Sequence, residues 1–186
     1  MDIVLSVIFL VLTLPISLVC SLAIKLTSSG PVLFRQVRLG IDEKPYEVIK
    51  FRTMIEDAER ETGPIWSNKN DPRTTKVGAI LRKTRLDEIP QLFNVLKGDM
   101  SFVGPRPIRK HFADVLAEKR PFYRLRFLVK PGLTGWAQVK LGYADSEVGQ
   151  MEKLQYDLFY IQNQSVIFDI HIMFKTCQTV LFRPGV

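Results

Sequence analysis

The sequence predicts an α+β protein, predominantly helical, and three observations predict it. An apolar run without a single charge fills residues 3–24. Two β-rich segments, punctuated by proline and glycine, follow between residues 30 and 54. Beyond them, apolar residues recur mostly at helical spacing rather than in alternation. The 186 residues suffice for one domain with a real core. The expected division is a membrane helix and junction over 1–29 and a single folded domain over 30–186.

The N-terminal run reads "IVLSVIFLVLTLPISLVCSLAI", 22 residues. A bilayer crossing needs roughly 20. A basic leader region and an A-x-A cleavage site are both absent, so a signal peptide fits poorly. Pro15 sits mid-run, close to Ser17. Two geometries follow from these residues. The helix spans the membrane with Lys25 on the cytoplasmic side. Or it enters, turns at Pro15 and leaves by the same face, with Ser17 helping to satisfy the carbonyls that proline frees.

"GPVLFRQVRLG" and "KPYEVIKFRTM" predict a small β-hairpin with its loop near Ile41–Lys44. Arg35, Arg38, Lys50 and Arg52 read as its solvated face. "ERETGPIWSNKNDPRTTKVG", residues 59–78, reads as a loop long enough to serve as a substrate lid. "DVLAEKRPFYRLRFLV" and "SVIFDIHIMFKTCQTVLF" predict amphipathic helices. In the latter, Ile167, Ile170, Phe174, Cys177 and Leu181 share a face. Such a face either packs on a core or lies in the membrane interface.

Lys and Arg total 26 against 19 Asp and Glu, a net charge of +7. That balance favours an anionic partner, whether nucleic acid, acidic lipid or a phosphorylated small molecule. Cys20 and Cys177 lie far apart in apolar stretches, and the histidines are only His111 and His171. A disulfide framework and a Cys- or His-rich metal site are therefore not expected.

The stretch "TRLDEIPQLFNVLKGDMSFVGPRP" concentrates the chemistry. Leu86, Ile89, Leu92, Phe93 and Leu96 mark a buried helix face. Proline suits only a first turn, so Pro90 sets the helix start and puts Asp87 and Glu88 at or near the N-cap. One reading is plain capping, which stabilises by about 1 kcal/mol. The other is chemical. A helix N-terminus keeps a carboxylate ionised and attracts phosphate. Arg82, Lys83 and Arg85 stand just before it. Adjacent helical side chains diverge by about 100°, so one carboxylate could attack phosphorus while the other holds a metal. Mg2+ is the natural choice for carboxylate and phosphate oxygens. "GPRP" then holds Arg106 between Pro105 and Pro107, and its planar fork suits phosphate or a base carbonyl. "KPGLTGWAQV" is a second shaped turn, with Lys130 at its start and Trp136 inside.

"KFRTM" (50–54), "DPR" (71–73), "LDEIPQLFNVLKGDMSFVGPRP" (86–107), "PGLTGWAQV" (131–139) and "KLQYDLFYI" (153–161) together resemble the bacterial sugar transferase family. These are monotopic polyprenyl-phosphate phosphoglycosyl transferases. "GYADSEVGQMEKLQYDLFYI" is most similar to members that initiate exopolysaccharide. The resemblance implies transfer of a sugar 1-phosphate from a UDP-sugar to undecaprenyl phosphate, with release of UMP. It implies that Asp87 is the nucleophile of an acyl-phosphosugar intermediate and that Glu88 helps bind Mg2+. Arg82, Arg106, Lys130, Pro105 and Pro107 would bind substrate, and Pro15 with Ser17 would shape a re-entrant rather than spanning helix. Implied partners are the UDP-sugar, undecaprenyl phosphate and the bilayer, with a homodimer allowed and no nucleic acid. The implied location is the bacterial inner membrane, with the active site on the cytoplasmic face and amphipathic helices at the interface.

Three departures from the family pattern stand out. Lys/Arg residues do not precede Asp2, Lys130 replaces the usual arginine, and Arg85 replaces a usual Ser or Thr. Two other classes keep a place: a membrane-anchored module that binds anions without catalysis, and a glycosyl transferase that moves sugar without phosphate. The released nucleotide separates them. UMP marks phosphosugar transfer, UDP marks glycosyl transfer, and none marks a binding module.

Overall fold

Helix α1 (Asp2–Thr27) carries Pro15 inside a single helical element. It opens the computed structural model, which describes residues 1–60, 63, 65, 71–141 and 147–182. Its apolar side chains mostly face outward. Ile3, Val4, Val11, Leu12, Leu18, Val19 and Leu22 are each at least 60% exposed, while only Ser6, Cys20 and Ile24 are buried. Hydroxyls bracket the proline: Thr13 donates to the Phe9 carbonyl and Ser21 to the Ser17 carbonyl. Ser17 thus offers its carbonyl to Ser21 one turn beyond the proline.

The hairpin forms as the sequence predicts. Strand β1 (Leu33–Leu39) pairs antiparallel with β2 (Pro45–Phe51), from Leu33 opposite Phe51 to Leu39 opposite Pro45. A 3-10 turn, Ile41–Glu43, joins them, with Asp42 and Glu43 at positive φ. Arg35 remains on the solvated face in an exposed pair with Glu47. Arg52 does not. It is buried and donates to the Ser28 and Ser29 carbonyls and the Ser28 hydroxyl, tying β2 to the end of α1.

Helix α2 (Lys76–Thr84) is capped by Thr75, whose hydroxyl accepts from Gly78 N. It therefore begins inside the segment read as a loop, of which residues 61, 62, 64 and 66–70 lie outside the described residues. After a 3-10 turn, Leu86–Glu88, come α3 (Gln91–Lys97) and strand β3 (Ser101–Val103). Helix α4 (Lys110–Lys119) stops before Pro121, and the chain continues as 3-10 turns over Pro121–Leu128. One helix over 114–129 is therefore overturned, because proline has no N–H and forces Arg120 into extended backbone. Strand β4 (Gly132–Thr134) pairs parallel with β3, which brings the GPRP turn beside the PGLTG turn. Helices α5 (Trp136–Leu141), α6 (Glu147–Gln162) and α7 (Val166–Phe182) complete the chain; residues 142–146 lie outside the described residues.

Three apolar clusters hold these pieces. One joins Phe112 and Leu116 of α4 to Tyr123, Phe127 and Leu154. A second joins Val48, Val95, Phe102, Tyr160 and Ile172. The third joins Phe51 and Leu81 to Cys20 and Ile24 of α1. Helix α1 reaches two of them. Leu5 and Leu10 pack on the second, where the Phe9 and Phe102 rings lie 5.9 Å apart. Both halves of α1, on either side of Pro15, therefore lie against the same domain.

Two predicted apolar faces point elsewhere. On α3, Leu92 and Val95 are buried, whereas Phe93 is 56% exposed and Leu96 37%. On α7, Phe168, Ile172 and Met173 pack inward. Ile167, Ile170, Phe174 and Cys177 stay exposed, so that face does not pack on the core.

Candidate active site

The carboxylate pair sits where two helices meet. Arg85 adopts the left-handed conformation, ends α2 and starts the 3-10 turn Leu86–Glu88. For a non-glycine residue this backbone costs about 1–2 kcal/mol, and it turns the pair inward. Pro90 caps α3, as proline requires, but neither Asp87 nor Glu88 makes a capping bond. Plain capping is therefore not their role.

The two carboxylates differ sharply. Glu88 Oε1 accepts from Lys50 Nζ at 2.8 Å and from Arg106 Nη2 at 2.6 Å. Burial would raise its pKa, but these two cations outweigh burial and hold it far below the usual carboxylate range. Asp87 is 9% exposed, and its carboxylate receives no hydrogen bond from the described residues. Burial pushes its pKa up, Glu88 pushes the same way, and Lys50, Arg106 and Arg82 oppose them. Desolvation is the largest of these effects, so the Asp87 carboxyl lies above its ordinary value.

Each surrounding cation arrives on a separate element. Strand alternation puts Phe51 into the core and sends Lys50 the other way, to Glu88. Arg82 reaches back from α2, with its Nε donating to Thr53 Oγ1 at 2.9 Å and Nη1 to Thr74 Oγ1 at 3.3 Å. Beside it, Arg73 grips Asp71 through two bonds, 2.8 and 2.5 Å, and lowers that carboxyl to about 2. Arg38 lies where burial, with Arg106 and Arg109 as like-charged neighbours, lowers its guanidinium to about 10. Crowding of this kind favours an anion.

Of the residues singled out in the sequence, Asp87, Glu88, Arg82 and Arg106 come together. Pro105 is buried and Pro107 half-buried, flanking Arg106 as expected. Lys130 is placed apart, its ammonium over Gly98 at the far end of α3. Local pattern assigns Lys50 and Arg38 to a solvated strand face and Arg126 to an amphipathic helix, yet all three belong to the site or its support. The alternation within "KFRTM" is the one signal that could have placed Lys50.

The site suits a hard cation in part. Among the described residues, no group of three or more His, Cys, Asp or Glu exists to cage a metal. Asp87 and Glu88 are adjacent, and both bonds to Glu88 fall on Oε1, so Oε2 carries none among the described residues. One or two carboxylate oxygens completed by substrate phosphates and water is the usual Mg2+ arrangement.

Comparisons agree on a lineage. The family model for bacterial sugar transferases matches residues 1–183. The UDP-N-acetylgalactosamine-undecaprenyl-phosphate N-acetylgalactosaminephosphotransferase of Aeromonas hydrophila is 44% identical, over 100% of this chain and 44% of that protein. The UDP-glucose:undecaprenyl-phosphate glucose-1-phosphate transferase of Escherichia coli is 46% identical, over 94% of this chain and 38% of that protein. The exopolysaccharide production protein PSS of Rhizobium leguminosarum is 42% identical, over 98% of this chain and 94% of that protein. The chain thus spans less than half the length of the first two relatives and nearly all of the third.

Proposed function

We propose that this chain, which belongs to the bacterial sugar transferase family, moves a sugar 1-phosphate from a UDP-sugar to undecaprenyl phosphate. The observation that carries this reading is the contrast within the dyad. Glu88 is pinned and ionised, while Asp87 is buried, unbonded among the described residues and poorly solvated. A carboxylate stripped of water and hydrogen bonds is a ready nucleophile.

Asp87 attacks the phosphorus that bears the sugar. The bond from that phosphorus to the bridging oxygen breaks, and UMP leaves with the electron pair. Undecaprenyl phosphate then attacks the acyl phosphate, restores the Asp87 carboxylate and takes the phosphosugar. Arg106, Arg82 and Lys50 neutralise the diphosphate, and positioning supplies most of the rate. Glu88, through Oε2, is the group that would hold Mg2+. Bound to the diphosphate, that ion would stabilise charge on the leaving oxygen. Such a step would initiate exopolysaccharide or another glycoconjugate.

The membrane reading rests on α1. Its exposed apolar length suits lipid, and both of its halves touch one domain. A helix crossing to the far side would carry one end away from that domain, so the contacts favour re-entry. The domain then sits on the cytoplasmic face of the inner membrane, where nucleotide sugars and the lipid phosphate meet. The exposed face of α7 lies in the interface.

Incubating the chain with undecaprenyl phosphate and a panel of UDP-sugars tests the reaction. UMP is the expected product, and UDP or no nucleotide refutes it. Rapid quenching followed by peptide mass spectrometry should place a phosphosugar on Asp87. An adduct on Glu88, or full activity without an adduct and without acceptor-independent UMP, refutes the covalent path.

A further inference from the structure

We propose that Arg126, held by Asp157 and Tyr123, is a positioning residue that fixes Arg106 in reach of the reaction centre. The inference rests on the phosphosugar-transfer reading above and adds to it a support outside the dyad. The Arg126 guanidinium makes three bonds in three directions. Nη1 donates to Tyr123 OH at 2.6 Å, and Nη2 donates to Asp157 Oδ2 at 2.9 Å and to the Arg106 carbonyl at 2.9 Å. Arg126 and Asp157 side chains are both 5% exposed.

The Arg106 carbonyl stands between two prolines, neither of which has an N–H to offer a turn bond. Pro105 spends its own carbonyl on Gly132 N at 3.0 Å, which anchors the front of the turn to β4. Arg126 anchors its back. The Arg106 side chain then leaves from a peptide held on both sides and reaches Glu88 Oε1 at 2.6 Å. A continuous chain of contacts results, from Asp157 on α6 through Arg126, Arg106 and Glu88 to Lys50 on β2.

Buried ion pairs rarely outperform apolar residues for stability, because both charges lose water. What an arginine offers here is geometry. A planar fork reaches its acceptors from two separate nitrogens in a fixed plane, whereas a lysine donates from a single nitrogen on a flexible stem. Arg126→Lys should keep the charge and a bond to Asp157 while giving up the simultaneous hold on Arg106.

The test is a double-mutant cycle on the full chain in lipid nanodiscs, using UMP release from the UDP-sugar that the wild type accepts. Arg126→Lys should raise KM for that sugar nucleotide and lower kcat/KM about tenfold, the scale expected for coupled neighbours. In an Arg106→Ala background it should cost less than about twofold further, since the residue it positions is gone. Asp157→Asn, which keeps an acceptor, should show the same coupling. Wild-type kcat/KM in Arg126→Lys overturns the proposal. So does an equal loss in both backgrounds, which marks a merely structural pair. If both variants lose the fold before activity can be read, the pair is a stability element and the proposal falls. A wild-type chain that releases no UMP refutes the underlying reading, and the positioning role with it.

Discussion

Asp87 and Glu88 are neighbours in sequence with opposite physical states, and their substitutions should separate accordingly. Asp87→Asn should abolish transfer and the burst of UMP formed without acceptor. It should leave the melting temperature unchanged or higher, because burial already disfavours its charged form. Glu88→Gln should slow both steps and cost about 1.5–3 kcal/mol of stability, the usual worth of a hydrogen bond to a charged group. Thermal unfolding and quenched-flow UMP assays check both, and a Glu88→Gln chain as stable as wild type would contradict the ion-pair account. Glu88 has a depressed folded pKa, so its stabilisation is fully present above the ordinary glutamate value and fades as pH falls toward the folded one. Asp87 has a raised pKa, and its nucleophilic form is the ionised one. The burst rate should therefore fall with acid at a pH above the ordinary aspartate value of about 3.9. A burst that persists unchanged to that value would argue against Asp87 as the attacking group.

At the scale of elements, the pairing of β3 with β4 places the GPRP turn against the PGLTG turn, backbone on backbone. A Cβ on Gly132 would overlap Gly104 N and Thr134 O, both main-chain atoms that cannot swing aside. Gly132→Ala should therefore destabilise by about 1–3 kcal/mol, as overpacking does, and should weaken UDP-sugar use by displacing Arg106. Chemical denaturation in detergent, with kcat/KM in parallel, checks both effects. The sequence showed two shaped turns but not their contact. Two three-residue strands carry no periodicity that a local pattern can reveal, and parallel pairing joins residues some 30 positions apart. Likewise, Pro121 was visible in the sequence, but the helical run on either side of it outweighed the stop it imposes.

For the whole molecule, the membrane geometry is the most exposed expectation. In a chain with Cys20 and Cys177 replaced by alanine, a cysteine at position 2 should label only after the inner membrane is opened. Labelling from outside in intact cells would make α1 a spanning helix. Ile167→Glu together with Phe174→Glu should leave activity in detergent intact and reduce retention on vesicles after high-salt washing. Unchanged retention would show that α1 alone holds the chain on the bilayer.

Local pattern determined a good deal of this protein by itself. The uncharged run, the hairpin and the amphipathic α7 follow from hydrophobic period, and the proximity of Asp87, Glu88 and Pro90 follows from adjacency in the chain. Only the tertiary structure decided which carboxylate is free. Lys50 comes from β2 and Arg106 from the turn after β3, and their convergence on Glu88 Oε1 depends on how the hairpin packs on α3. Nor could the sequence tell a solvated cation from a working one. Arg35 and Lys50 look alike in the strand pattern, yet one faces water and the other a buried carboxylate. Burial and pairing are set by contacts between segments far apart in the chain, and those contacts fix the pKa values on which the chemistry depends.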